Sequence, residues 1–131
     1  MTSRIRAIQA YRPRVKIERT VQMEEVVRYI AGRTGFNTGE ILGVLAELRD
    51  AIVFFNQDGY GVKLEMLGTF LPNIRLDGTF DVQYRLDKSL RNGLNQDEFH
   101  GTILNRGNIG KTAAELVVQW NEEHPDDPVE E

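Results

Sequence analysis

The chain has 131 residues, 40% of them hydrophobic and 27% charged, with a formal net charge of −4. That length suits one domain with room for a tail, and it is enough to bury a self-sufficient core. Cysteine is absent, which excludes disulfides, zinc–thiolate centres and cysteine nucleophiles, and no apolar run reaches the roughly 18 residues of a membrane-spanning helix.

The N-terminal segment is basic. Residues 1–19 carry Arg4, Arg6, Arg12, Arg14, Lys16 and Arg19 against Glu18 alone. Met1 to Arg6 has no apolar stretch behind its charges, so it does not read as a signal peptide, and a cytoplasmic location is expected. Val15 and Ile17 alternate with Arg14, Lys16 and Glu18, and Pro13 argues against helix, so residues 4–19 are expected to be extended, as a basic arm or an extra edge strand.

Residues 21–32 read as a short helix, because Met23, Val26, Val27 and Ile30 fall on one helical face and Gly32 and Gly35 follow. The next helix is the strongest element. Asn37 can cap it, with Glu40 three residues on. Ile41, Leu45, Leu48, Ile52 and Phe55 then recur at spacings of four and three, the seam of a helix packed along another helix. Leu42, Val44 and Phe54 add apolar area beyond that stripe, so neighbours are expected on two sides. Asp58-Gly59 stops it.

Three strands follow. Val62, Leu64 and Met66 alternate with Lys63 and Glu65. Phe70, Ile74 and Leu76 mark the second strand, and Asp77-Gly78 reads as a two-residue hairpin turn with φ > 0 at both positions. In the third, Phe80, Val82, Tyr84 and Leu86 alternate with Asp81, Gln83 and Arg85, which predicts one buried and one wet face. Asp87 can cap a short helix to about Asn92, closed by Gly93. Residues 95–110 are poor in pattern. Thr112 and Glu115 form a capping box opening a last helix through about Glu123, with Leu116, Val117 and Trp120 as its apolar stripe. Residues 112–131 hold seven carboxylates and no Lys or Arg, and Asp126 to Glu131 are expected to be a loose tail.

Other chemistry is thinly supported. Gly107 to Thr112 lacks the first glycine of a phosphate loop, since position 105 is Asn105. His100 and His124 stand alone, without a ligand at metal spacing, and read as surface residues. No nucleophile–histidine–carboxylate set or paired-carboxylate cleft can be assembled. Trp120 reads as a packing anchor. No enzyme, cofactor or metal is expected.

The order helix, helix, three strands, short helix resembles the bacterial HU/IHF family of histone-like DNA-binding proteins. Val62-Lys63-Leu64-Glu65-Met66-Leu67-Gly68-Thr69-Phe70 looks like that family's first turn, where Gly-x-Gly-Thr-Phe follows an alternating strand. Val82 to Asn92 is similar to its last strand running into a basic helix. The expected class is α+β: two N-terminal helices, a three-stranded antiparallel sheet with a short hairpin, and a short C-terminal helix, with an extra N-terminal strand and an extra C-terminal helix. Expected boundaries are 1–19 for the basic segment, 20–94 for the HU/IHF-like domain and 95–131 for an extension with one helix and the acidic tail.

The resemblance implies an intertwined homodimer with Leu45, Leu48, Ile52, Phe55 and Phe70 in a shared core, although a lone chain could also bury that stripe. It also implies DNA as partner. Gly68 would offer a backbone N–H to a phosphate, or simply form a tight turn. Lys88, Ser89 and Arg91 would form an anion site at a helix N-terminus, or a solvated face. Arg75 and Arg85 on the strands, with Arg4, Arg6, Arg12, Arg14 and Lys16 along the backbone, complete the candidate DNA contacts. One departure stands out. The family's long basic arms with a proline wedge have no room across Asp77-Gly78, and Pro72 lies near the strand's base, so strong bending is not expected. The expected function is therefore a non-enzymatic, nucleoid-associated DNA-binding module, or alternatively a dimerisation or protein-interaction module that has lost DNA binding.

Overall fold

In the computed structural model, which describes residues 1–130, the elements in chain order are α1 (Arg4–Tyr11), β1 (Arg14–Val15), α2 (Met23–Thr34), α3 (Thr38–Gln57), β2 (Val62–Leu64), β3 (Gly68–Ile74), β4 (Phe80–Leu86), α4 (Lys88–Gln96), β5 (Ile103–Leu104), a 3-10 turn (Arg106–Asn108) and α5 (Ala113–Glu123). The class is α+β, as the pattern predicts. The chain forms two units, residues 21–99 and the paired termini 1–20 with 100–131.

The central unit holds α2, α3, the sheet β2-β3-β4 and α4. Helix α2 runs two residues later than expected: Gly32 lies inside it, and Gly35, at φ +80°, caps it. In α3 the Asn37 side-chain amide oxygen accepts from the Glu40 N–H at 2.8 Å, and Asp58-Gly59 ends the helix with Gly59 at φ +82°. Val27 and Ile41 are buried where α2 meets α3. Asn56 is also buried, and its amide donates to the carbonyls of Tyr60 (2.9 Å) and Phe70 (3.3 Å), which fastens the end of α3 to β3.

All pairings in this sheet are antiparallel, with Val62 opposite Phe70 and Phe70 opposite Tyr84. Pro72 sits opposite Val82, beyond the reach of the three-residue β2, so the missing N–H falls on an open edge of β3. The hairpin corrects the two-residue expectation. Arg75 N–H donates to Thr79 O (2.8 Å) and Gly78 N–H to Arg75 O (2.9 Å), so Leu76, Asp77 and Gly78 form a three-residue loop. Gly78 alone takes positive φ, +88°. Asp77 instead accepts from the N–H and hydroxyl of Thr79, which holds its carboxyl below the usual range. Helix α4 runs through Gly93 to Gln96, three residues past the expected stop.

The expectation of a buried face on β4 is also corrected. Phe80 is 82% exposed and Val82, Tyr84 and Leu86 are close to half exposed, so the single chain leaves much of that row in solvent.

The terminal unit overturns two readings. Residues 4–11 are helical, where an extended segment was expected. Ser3 accepts from the Arg6 N–H (3.2 Å) to start α1, and Ala7 is buried where α1 packs on α5. Pro13 ends the helix rather than excluding it, and the extra strand shrinks to Arg14–Val15, paired with β5. Nor is the tail loose up to Glu130. Thr2 N–H donates to Pro128 O (2.9 Å), Glu130 N–H donates to Thr2 O (3.0 Å), and Val129 N–H donates to Asn121 (2.8 Å); Glu131 lies outside the described residues. Trp120 is buried, its indole N–H donates to Asp127 O (2.8 Å), and Tyr11 packs edge-on against it. His124 is half-buried and stacks on Trp120 at 3.8 Å, so it is a packing residue rather than a surface one. Asn105, at φ +57°, and the buried Asn108 donate to carbonyls of Ala10, Arg12 and Tyr11, which locks the chain after α1 in place.

Candidate nucleic-acid interface

The sheet of the central unit has two unlike faces. Directly paired residues project to the same side. One side therefore carries Val62, Phe70 and Tyr84, then Pro72 with Val82 and Ile74 with Phe80. The other carries Lys63, Thr69 and Arg85 in one cross-strand row, then Leu71 with Gln83 and Asn73 with Asp81. Lys63 and Arg85 are exposed, and among the described residues neither makes an ion pair. Two cations flanking a hydroxyl across three strands can take a phosphate: the charges attract it and the threonine hydroxyl can donate to it. The expected contacts omitted Lys63 and Thr69. The parity of the strands could have found them, because both share a face with Arg85.

Charge is distributed along the same line. The central unit has eight Lys or Arg against twelve Asp or Glu, but the excess lies on and around α2 and α3 and at Asp97-Glu98 after α4. From β2 to the end of α4 there are five cations and four carboxylates.

The expected contact residues fall into different settings. Gly68 is buried, and a Cβ there would lie 2.4 Å from both the Arg85 carbonyl oxygen and a Tyr84 ring carbon, so packing within the chain already demands glycine. The turn before it places Met66 at φ +76° where the family signature has glycine, and Leu67 N–H closes it on Leu64 O (3.1 Å). Arg75 is engaged. Its Nε and Nη2 donate to one Asp81 oxygen at 3.2 and 2.8 Å, and the guanidinium holds the Asp81 carboxyl below its usual range.

Lys88, Ser89 and Arg91 are exposed at the start of α4, but the Asp87 carboxylate already accepts from the Ser89 N–H at 3.0 Å. A capping carboxylate occupies the place an incoming phosphate would take, which leaves the two cations as the attraction there. Arg4 and Arg6 lie on α1 rather than on an arm. Arg4 borders a hollow with Glu130, and the charge of Arg6 helps lower the Asp127 carboxyl, after the Thr2 hydroxyl and the Met1 amino group. Arg12, Arg14 and Lys16 do follow the extended run, all exposed.

Leu45, Leu48 and Ile52 are half-buried in the single chain, as is Phe70, while Phe55 is 46% exposed. Beside them Leu42, Val44 and Phe54 stand more than half exposed. No helix among the described residues is long and apolar enough to cross a membrane.

Comparison with known proteins agrees with this architecture. A family model described as an HU domain fused to wHTH, Ig, or Glycine-rich motif, HU-HIG, matches residues 5–85. No curated protein matches the chain.

Proposed function

Because the chain belongs to the HU-HIG family of HU-like domains, we propose that it is a non-enzymatic, nucleoid-associated module that dimerises through its apolar face and holds duplex DNA by the phosphate backbone. The observation that carries this reading is the two-sidedness of the sheet. One face is a largely exposed apolar row from Phe80 to Leu86, and the other is the Lys63–Thr69–Arg85 row. Apolar surface of this extent rarely stays in water, and a second copy supplies the same stripe in return. Leu45, Leu48, Ile52, Phe55 and Phe70 would then lie in a shared core. Backbone contact by Lys63, Arg85, Lys88 and Arg91 positions a duplex without reading its sequence. The three-residue hairpin loop gives no long arm, so this mode of binding needs no wedge.

Titrating a labelled duplex at about 50 and 200 mM salt tests the reading. Each phosphate contact contributes about 0.9 to the slope of log affinity against log salt. K63Q/R85Q should lower that slope by about 1.8 per chain and leave the fold unchanged. No binding at the lower salt contradicts DNA as the ligand.

A second reading is favoured by the net charge of −4 on the central unit. Under it the chain dimerises or docks another protein without contacting DNA. A stable dimer that leaves the duplex free at low salt selects this alternative.

A further inference from the structure

The terminal unit carries a basic surface of its own, assembled from the two ends of the chain. Residues 12–17 run extended. Arg14 and Lys16 alternate with Val15 along β1 and its continuation, so these two cations share one side, and Arg12, with extended φ and ψ at the bend after α1, precedes them. The run is held against the segment after α4. Lys16 N–H donates to Thr102 O (2.9 Å), Arg14 pairs with Leu104, and the Asn105 amide donates to the carbonyls of Ala10 (2.9 Å) and Arg12 (3.1 Å). Those ties bring the segment that holds Arg106, the residue after Asn105, next to Arg12. Arg106 opens the 3-10 turn there, and the Asn108 amide of the same turn donates to Tyr11 O (2.7 Å), so Arg106 stands beside the start of the Arg12–Arg14–Lys16 run.

All four cations are exposed. The Glu18 carboxylate, 3.8 Å from Lys16 at the far end, is the one acidic group within residues 12–18 and 102–106. Arg12, Arg14 and Arg106 make no ion pair among the described residues. Their pitch is set by the strand, about 6.7 Å between alternate residues, which suits successive phosphates of one nucleic-acid strand. Counting the whole unit hides this surface, because its eight Lys and Arg are cancelled by eight carboxylates concentrated on α5 and the segment after it.

We infer that Arg12, Arg14, Lys16 and Arg106 form a second binding surface for the DNA phosphate backbone, separate from the sheet of the central unit. Guanidinium groups supply bidentate donors to phosphate oxygens, and three of the four positions are arginine. Arg106 is the residue that distinguishes this surface from a merely basic N-terminal arm. It belongs to the row only because the two termini fold together.

The test uses the full chain, a labelled duplex and two variant sets. R12Q/R14Q/R106Q removes three cations of the row, and K63Q/R85Q removes the cations of the sheet. Fluorescence of Trp120, the only tryptophan, reports whether the terminal unit stays folded. The triple variant should keep native Trp120 emission, bind about tenfold or more weakly at 0.1 M salt, and show a salt slope lower by about 2.7 per chain. R12K/R14K/R106K should retain most of the slope. Weaker binding on K63Q/R85Q with no change in the triple variant overturns this inference and leaves the sheet reading standing. The opposite pattern supports the inference and removes the sheet. Wild-type binding by both sets, or no binding by the wild type, overturns both.

Discussion

The ring of Tyr84 lies where a side chain at residue 68 would have to go. A Cβ on Gly68 would sit 2.4 Å from Tyr84 Cε2 and equally close to the Arg85 carbonyl oxygen, while the Tyr84 hydroxyl donates to Leu67 O at 2.7 Å. Gly68→Ala should therefore destabilise the central unit by about 1–3 kcal/mol, the usual cost of overpacking. Urea denaturation of the variant measures it. Truncating Tyr84 to Ala in addition should not restore stability, because the backbone oxygen of Arg85 still blocks the site. An unchanged midpoint for Gly68→Ala would show that the strand opens to admit a methyl group.

Met66 gives the opposite prediction two residues earlier. It holds φ +76° with its side chain mostly in solvent. A left-handed conformation costs a residue with Cβ about 1–2 kcal/mol, and glycine returns part of that through its greater freedom when unfolded. Met66→Gly should raise stability by about 0.5–1 kcal/mol. A loss of stability would mean that the Met66 side chain is covered in the assembled protein.

Phe54 discriminates between a lone chain and a dimer. Its ring is 62% exposed and meets Phe55 edge-on at 5.2 Å. Were it left in water, Phe54→Ala would cost under about 0.5 kcal/mol. Buried against a second copy it should cost about 3 kcal/mol or more, and the melting temperature of the wild type should rise with protein concentration. A concentration-independent melt with a harmless Phe54→Ala removes the dimer.

Tyr11 makes the terminal unit sensitive to alkali. Its hydroxyl donates to the Glu123 carboxylate, and this bond, with burial and the carboxylate charge, pushes the phenol from 10.0 up to about 12. The folded state thus keeps a proton that the unfolded chain releases near pH 10. Its stabilising contribution is complete below pH 10 and is lost as pH rises through about 12. Trp120 emission followed from pH 9 upward should show the loss, and Tyr11→Phe should abolish that component. The same transition in the variant would place its cause elsewhere.

Much of the central unit was legible in the sequence because its signals are local. Asn37 and Glu40 announce the start of α3, Gly35 and Gly59 close the two helices, and the alternation from Phe80 to Leu86 marks β4. The exposure of the β4 row is not legible, since alternation shows which residues share a face and not what lies against it. The terminal unit escapes a sequence reading for a different reason. Its order rests on partners about 90 residues or more apart in sequence, such as Thr2 with Val129, Asn105 with Ala10 and Tyr11 with Glu123. The alternation around Val15 does not reach back over Arg4 to Tyr11, where Ser3 and a buried Ala7 build a helix with no acidic residue in its first turn. At the candidate interface, Lys88 and Arg91 are readable from the family likeness, and Arg85 from its place on the polar face of β4. Lys63 and Thr69 needed the strand register, and Arg106 needed the pairing of the two termini.

Sedimentation equilibrium of the full chain with a short labelled duplex at about 50 mM salt tests the central claim most directly, a salt level at which phosphate contacts are strong. The account predicts that the label sediments as a complex of the duplex with two chains or a multiple of two. A duplex that sediments at its own mass beside the free protein contradicts it.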